Sequence, residues 1–423
     1  MVEYAEPDYK VWAAKEPNDA SARFQWHHAA LGMASAWNLT TGSGKVKVCI
    51  VDSGIAAGHE DLSANYQEGW NLVPDVQRDG HEPPARGTAS YANATDTFGH
   101  GTHIAGIVGA VGNNRRGVAG VNWKVKVLAC RFLWDDTSGF ISDAIACLKL
   151  CRKAGANIVV GSWGGMPTYS EALYSAFREA GDAGQLLVVA GTNDGLDLGL
   201  EPSYPASFDL DNMITVGATD QDGGLAAYSN YGSVVHVTAP GTNILSTTHN
   251  GLYGGMTGTS MAAPIVAGAA ALLQALALGA GAPALTALEL KALLLNTTDA
   301  HLPEDAGKTA HGRLNVSRAV TALRAQLELA PVTRVVEVAE RGCKGWPAAP
   351  CTAKPACNAY QAIVSVDAPA FGKLSRRCNA TNSYRVVAAA CLGKASCVLT
   401  ASARAFGRDP CPKQQKSLTL SYT

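Results

Sequence analysis

The sequence predicts an α/β fold, a parallel sheet sandwiched by helices, followed by a small disulfide-rich α+β domain at the C-terminal end. Three observations predict it. Apolar, β-rich runs recur at residues 45–52, 125–128, 158–161, 186–190 and 214–216. Stretches with apolar residues at helical spacing, such as 142–152 and 170–180, lie between them. Strands alternating with helices in this way imply a parallel sheet covered on both faces. Finally, seven of the 11 cysteines fall between Cys343 and Cys411, a density that points to a disulfide framework made in an oxidising compartment.

A chain of 423 residues is long enough for two or three domains. With 47% hydrophobic and 16% charged residues it can bury a sizeable core, which excludes a disordered protein. Charge is unevenly placed. From Pro331 onward 13 Lys/Arg face 4 Asp/Glu, a net of +9, which leaves the first 330 residues at −10. The helical alternation ends near Leu323. The expected organisation is an N-terminal arm (1–16), an α/β domain (17–323), a linker (324–341) and the Cys-rich domain (342–423). Five Asn-x-Ser/Thr sequons (Asn38, Asn93, Asn296, Asn315, Asn379) agree with secretion. The first residues carry no basic, apolar leader, so a secreted protein is expected here as a processed chain. Residues 261–288 hold no charge and exceed the ~20 residues a bilayer requires. They are Ala- and Gly-rich and interrupted by Pro264, Gln274 and Pro283, which predicts a buried helix followed by a loop rather than a membrane span.

Ligands of parallel α/β sheets sit beyond the carboxyl ends of the strands, and three residues in such contexts carry chemistry. Asp52 closes the first apolar strand. His100 opens an apolar helical run within Gly99-His100-Gly101-Thr102-His103. Ser260 precedes the long uncharged helix within Gly258-Thr259-Ser260-Met261-Ala262. A serine hydroxyl becomes a nucleophile when an imidazole can take its proton and a carboxylate fixes the imidazole's tautomer. The start of a helix adds backbone N–H groups that favour developing negative charge. Pro264 is expected in the first helical turn, where no intrahelical N–H is lost. Singly these residues read as a turn, a polar core residue and a helix cap. Together, in the order Asp, His, Ser, they form one of the known triad orders.

These segments resemble the subtilisin-like serine proteases (subtilases). The resemblance rests on Val51-Asp52-Ser53-Gly54-Ile55, on His100-Gly101-Thr102-His103-Ile104-Ala105-Gly106 and on Gly258-Thr259-Ser260-Met261-Ala262-Ala263-Pro264. Ser162-Trp163-Gly164-Gly165, residues 227–232 and Ala239-Pro240-Gly241 support it. It covers roughly residues 17–322 and implies a subtilisin-like fold, a secreted serine endopeptidase, and Asp52, His100 and Ser260 as its triad. It further implies Asn193 as the oxyanion donor, in Gly191-Thr192-Asn193, with Thr192 standing where the family usually has Gly. Ser162, Trp163, Gly164, Gly191, Gly139 and Ile141 are implied as peptide-binding residues, the peptide adding as a strand. Asp194, Asp197 and Glu201 could favour a basic substrate residue, but a broad or apolar preference is expected.

A thermitase-like structural calcium site is implied at Asp19, Asp61 and Asn114 with the carbonyls of Val111 and Val118, hard oxygen donors suited to that ion. Arg115 and Arg116 are departures in that loop. Residues 2–8 look like the tail of a propeptide, the family's own inhibitor. Cys49 is expected to pack beneath Asp52. Cys147 and Cys151 share a helix face, which leaves a bridge to Cys130 open.

Residues 357–423 resemble the galactose/rhamnose-binding lectin domain of the sea-urchin egg lectin type, through residues 371–373, 390–397, 406–411 and 416–422. The family closes with a further Cys, so an eighth is expected beyond Thr423. Its sugar-binding Tyr-Gly-Arg is Phe371-Gly372-Lys373 here, without the hydroxyl and the planar donor fork, whereas Asp409 is kept. Phe371, Lys373 and Asp409 are the carbohydrate candidates, and the basic charge suggests an acidic glycan as an alternative. No nucleic-acid motif or aromatic-interleaved basic stripe is present. The rival function is a catalytically silent glycan-binding adhesion protein on a protease scaffold. A lipase-like hydrolase fits less well, because Ala262 replaces the last Gly of Gly-x-Ser-x-Gly and the triad order differs. A cysteine protease fails because no Cys precedes the long helix.

Overall fold

The computed structural model describes residues 15–73 and 83–329 and, beyond them, the backbone of five short strands. The chain divides into two compact units, Met1–Leu327 and Glu328–Thr423. In the first unit the strands are β1 (Gly42–Asp52), β2 (Tyr66–Asn71), β3 (Lys124–Arg131), β4 (Ile158–Gly161), β5 (Leu186–Ala190), β6 (Met213–Thr219) and β7 (Val237–Pro240). They form one sheet in the order β2-β3-β1-β4-β5-β6-β7, every pair parallel. A separate hairpin joins β8 (Ile244–Thr247) to β9 (Tyr253–Met256). The helices are α1 (Trp26–Ala30), α2 (Met33–Leu39), α3 (Ala89–Ala92), α4 (His100–Gly109), α5 (Ile141–Lys153), α6 (Glu171–Asp182), α7 (Thr259–Gly279), α8 (Ala287–Asn296) and α9 (Val316–Leu329).

Both faces of the sheet are apolar, and the period-2 alternation sorts side chains between them. Val46, Val48 and Ile50 of β1, Ile158 and Val160 of β4, and Leu186, Val188 and Ala190 of β5 enter one core, which also takes in residues of α2, α4 and α7–α9. Cys49, Val51, Val159, Leu187 and Val189 enter the other, against α5 and α6. This two-sided burial is why the strands read as continuous apolar runs. The α7 helix is apolar and long enough to cross a membrane, but 94% of its most apolar window lies inside the protein. It is the central core helix, followed by the expected loop before α8.

Two disulfides fasten α5 to the sheet. Cys151 bridges to Cys49 of β1, and Cys147 to Cys130 of β3. Cys49, expected to pack beneath Asp52, faces the α5–α6 core as half of a bridge. The one-turn spacing of Cys147 and Cys151 lets α5 reach two adjacent strands. In the second unit β14 (Ser417–Tyr422) pairs antiparallel with β10 (Arg334–Ala339) and β12 (Val366–Phe371), and β11 (Cys351–Ala353) pairs with β13 (Leu399–Ala401). The segment 324–341, expected as a linker, holds the end of α9 and all of β10. The alternating Val335, Glu337 and Ala339 against Val336 and Val338 suits a paired strand rather than a linker.

Four histidines are buried among the described residues of the first unit, His59 and three that lie on helices. His27 and His28 of α1 and His103 of α4 are 1%, 8% and 0% exposed. Burial pushes His28 down to about 3 and His103 to about 4, and His27, which also feels His28 and His103, well below its ordinary value. The folded rings stay neutral while unfolded ones protonate below about 6.5. Stability therefore falls as pH drops through 6.5, by about 1.4 kcal/mol per pH unit per ring, until the folded values are reached. Thermal unfolding from pH 8 to pH 5 is expected to show this fall, and His28→Leu to flatten it by one ring's share. An unchanged slope in the variant would contradict the assignment.

Candidate active site

Three neighbouring strands deliver residues to one end of the sheet. Asp52 ends β1, Ser162 follows β4, and Asn193 lies three residues after β5. β1 is also where the strand order reverses, with β3 on one side and β4 on the other, the position at which open α/β sheets bind ligands. The N-termini of α4 and α7 supply His100 and Ser260. His100, Ser162, Trp163, Gly164, Ala190, Asn193 and Ser260 line a single cleft of about 360 Å³.

The first turn of α7 fixes half of this arrangement. Its Thr259 N–H and hydroxyl donate to Asn193 Oδ1 at 2.8 and 3.0 Å. A backbone N–H can only donate, so the Asn193 oxygen must face it, and Nδ2 is left as the amide's free donor group. Gly258, beside Asn193, has φ +153°, a backbone conformation that side chains other than glycine's rarely adopt. Pro264 is not in the first turn as expected. It is the sixth residue of α7, where an N–H would have bonded the Ser260 carbonyl. That carbonyl instead accepts from Ser162 Oγ at 3.0 Å, and Ser260 Oγ donates back to the Ser162 carbonyl at 3.2 Å. The missing proline donor thus ties the serine to the end of β4.

The other half is held by a carboxylate that motif reading passed over. Asp96, 3% exposed, accepts from Gly99 N (2.7 Å), Phe98 N (3.0 Å), Thr102 N (2.8 Å), Thr102 Oγ1 (2.5 Å) and Ser53 Oγ (3.0 Å). Ser53 Oγ in turn accepts from Gly101 N. Gly101 packs so tightly on β1 that a Cβ would stand 2.2 Å from the Gly54 carbonyl. The start of α4 is therefore bolted to the residues after Asp52, and His100 Nδ1 comes within 2.9 and 3.0 Å of Asp52 Oδ1 and Oδ2. An acid a few residues before an apolar helical run is a helix-start signal, and that signal could have found Asp96. Burial acts to lower the His100 pKa, but the charge and hydrogen bond of Asp52, with Asp96 behind it, leave it raised.

Residues 43–321 match the model of the subtilase family. The chain belongs to the subtilase family. It is 35% identical over 306 residues to thermitase of Thermoactinomyces vulgaris, covering 72% of this chain and 99% of thermitase. It is 35% identical over 354 residues to an extracellular protease of Xanthomonas campestris pv. campestris, covering 76% of this chain but only 59% of that relative's length. A solved protease from Pseudoalteromonas arctica superposes with a TM-score of 0.63 at 31% identity, over 73% of this chain and 99% of that one. Residues 356–423 match the D-galactoside/L-rhamnose binding SUEL lectin domain, so the subtilase carries a lectin domain.

Other expected residues of the subtilase fall in several places. Trp163 lines the cleft and packs on Phe132 and Phe177. Gly191, Gly139 and Ile141 stand outside the cleft lining. Gly191 is buried and bonded to Val216, Gly139 lies against Phe132 and Leu133, and Ile141 packs on the α5–α6 core. Asp197 Oδ1 is engaged by Gly199 N. The expected cation ligands do come together. Asp19 accepts from Asn113 N and Asn114 N, while Asp61 accepts from Asn114 Nδ2 and Val118 N, and its carbonyl accepts from Val111 N. Both acids are buried, at 5% and 0% exposure, and the Asp19 carboxyl is pushed up by burial and by Asp61, against the pull of the two backbone donors. Arg116 turns to Glu60 at 2.9 Å instead of neutralising them. Two buried carboxylates are oxygen donors of the kind a hard cation takes, but N–H groups occupy them here and Asn114 Oδ1 accepts from Arg116 N. No group of three or more His, Cys, Asp or Glu suited to a metal occurs among the described residues. Lys373 and Asp409 of the lectin domain, and the side chain of Phe371, lie outside the described residues.

The His100 ring is expected to titrate above about 6.5, and Asp52→Asn to lower that value by removing the charge that raises it. NMR titration of the ring would read both, and an unmoved midpoint would exclude Asp52 as the cause.

Proposed function

We propose that this subtilase is a secreted endopeptidase that hydrolyses peptide bonds through an acyl-enzyme on Ser260. The observation that carries the reading is the meeting, in one cleft, of the Asp52–His100 pair, the hydroxyl of Ser260 and an Asn193 amide whose donor end is fixed. A substrate strand lies along residues 162–164, with backbone bonds giving affinity. Ser260 Oγ leaves the Ser162 carbonyl and attacks the scissile carbonyl carbon as His100 Nε2 takes its proton. Asp52 holds Nδ1–H and stabilises the imidazolium. Asn193 Nδ2 and the Ser260 N–H receive the oxyanion. His100 then protonates the leaving amine, and the C–N bond breaks. Water repeats the sequence on the ester, with His100 again as base, and regenerates Ser260.

Asp19, Asp61 and Asn114, with the carbonyls of Val111 and Val118, would hold a structural calcium ion. Its charge would offset the two buried carboxylates and tie the chain near Asp19 to the loop after α4. Residues 1–16 are assigned as the tail of an inhibitory propeptide, 17–323 as the peptidase and 342–423 as a module that directs the enzyme to glycans, with Phe371, Lys373 and Asp409 as its candidate ligands. The two disulfides and the extracellular relative support secretion. Protein or peptide is the substrate, and neither nucleic acid nor a membrane span enters this reading.

Fluorophosphonate is expected to label the wild type and not Ser260→Ala. Failure to label a folded chain would leave the glycan-binding reading in its place. Asn193→Ala should lower kcat by about 10²–10³. Because His100 acts as a base only when neutral, kcat/KM should rise with pH through a midpoint above about 6.5. Chelation should lower Tm in the wild type but not in Asp61→Ala, and equal responses would remove the calcium assignment.

A further inference from the structure

Two threonines of the cleft lining have positive φ, Thr137 (+69°) and Thr192 (+68°), and the second stands next to Asn193. Such a φ is a genuine outlier for a β-branched side chain. Strain of this kind persists where the surroundings over-determine it, and at Thr192 Asn230 does so. Asn230 is 1% exposed. It donates from Nδ2 to Thr192 Oγ1 at 2.5 Å and from its backbone N to the Thr192 carbonyl at 3.1 Å. Its Oδ1 accepts from Asp194 N and Leu196 N at 3.0 and 2.9 Å. The whole turn after β5 is thereby moulded around one buried amide.

With its hydroxyl held by Asn230, Thr192 sends its methyl to the opposite wall. Cγ2 stands 3.1 Å from where a Cβ on Gly164 would be, with the Tyr204 carbonyl and Pro205 Cδ at 3.3 and 3.4 Å from the same point. A Cα–Cβ bond adds about 1.5 Å, so the methyl and the Gly164 Cα are at most about 4.6 Å apart. Carbon–carbon contact takes about 3.5 Å on each side, so an aromatic ring between these walls would need about 7 Å. At this level the slot is closed to a ring.

The position matters because of what flanks it. Thr192 directly precedes Asn193, and both line the cleft together with Ser162, Trp163, Gly164 and Ser260. The recess beside Asn193 and Ser260 is lined by residues 162–165, Ala190 and Thr192. We propose that Thr192, fixed by Asn230, sets the size limit for the residue on the acyl side of the scissile bond. The enzyme then cuts after small side chains such as Ala and discriminates against aromatic and long ones. This rests on the proteolytic reading above and narrows its substrate class.

The test uses the full chain and peptide p-nitroanilides that differ only in the residue before the anilide: Ala, Val, Leu or Phe. Wild type is expected to favour Ala over Phe in kcat/KM by about tenfold or more, the scale on which a hydrophobic pocket discriminates. Thr192→Ser keeps the hydroxyl for Asn230 but removes the methyl, and Thr192→Gly removes both. Each should raise the Phe-to-Ala ratio by about tenfold or more. Equal turnover of Phe and Ala by wild type, or a ratio that moves in neither variant, overturns the proposal while fluorophosphonate labelling leaves the proteolytic reading standing. A folded chain that neither takes label nor cleaves any of the peptides overturns both.

Discussion

The unpaired backbone groups in the first turn of α7 are the constraint on which the rest of the site depends. A helix with 18 buried residues cannot leave its first N–H groups without partners in a dry core. It has no capping side chain, because its N-cap is Gly258. Thr259 is satisfied from outside, its N–H and hydroxyl both bonding Asn193. Met261 N bonds the Gly258 carbonyl, and the Ser260 N–H is the donor assigned to the oxyanion. Pro264 opens a second gap one turn later, and Ser162 fills it. The groups that complete the helix therefore belong to β4 and β5, whose ends the cleft requires. Stability and catalytic geometry are served by the same hydrogen bonds, so a residue such as Ser162 acts on the nucleophile without entering the chemistry.

The same reasoning accounts for α4. Its N-cap is also a glycine, Gly99, without a capping side chain. Asp96 supplies the acceptor from three residues earlier and reaches both Gly99 and Thr102. Its charge stands beside helix N–H groups, where a carboxylate is favoured. Its bond to Ser53 carries the positioning across to β1. Asp52 and Asp96 are thus two buried carboxylates with separate work, one on the imidazole and the other on the helix that presents it. Glycine at both N-caps fits their positive φ, +110° at Gly99 and +153° at Gly258.

Much of this was legible in the sequence, for definable reasons. Strands buried on both faces have no polar alternation to confuse, so 158–161 and 186–190 coincide with β4 and β5. β2 escaped notice because Gln67, Glu68 and Gly69 break its apolar character at the sheet edge, and β8 and β9 because Ser246, Thr247, Gly254 and Gly255 leave them no apolar run. The Asp, His and Ser motifs were visible because their glycines mark tight turns at strand and helix ends. Asn230 was less visible, since its work is done on two backbone amides and a threonine hydroxyl 34 to 38 residues away. Pro264 was misplaced by one turn because the helix begins before Ser260 rather than after it. The Cys49–Cys151 bridge spans 102 residues, and neither pairing nor register across that distance can be read from spacing.

An enzyme that hydrolyses proteins is exposed to its own activity whenever it opens, so the stability that matters locally is that of the elements under the cleft. The fold concentrates its cross-links there. Cys49 is three residues from Asp52 and bonded to α5, and loops closed by 102 and 17 residues remove about 5 and 3 kcal/mol of chain entropy from the unfolded state in the simplest account. The Asp19–Asp61 cradle secures the opposite end of α4, through Val111 and the loop that follows it. The strained Thr192 turn follows a fully buried strand. A left-handed threonine there costs on the order of 1–3 kcal/mol, which a rigid surround and one buried amide can hold. A looser scaffold would relax the turn, and the shape of the recess beside Ser260 would be lost before the fold was.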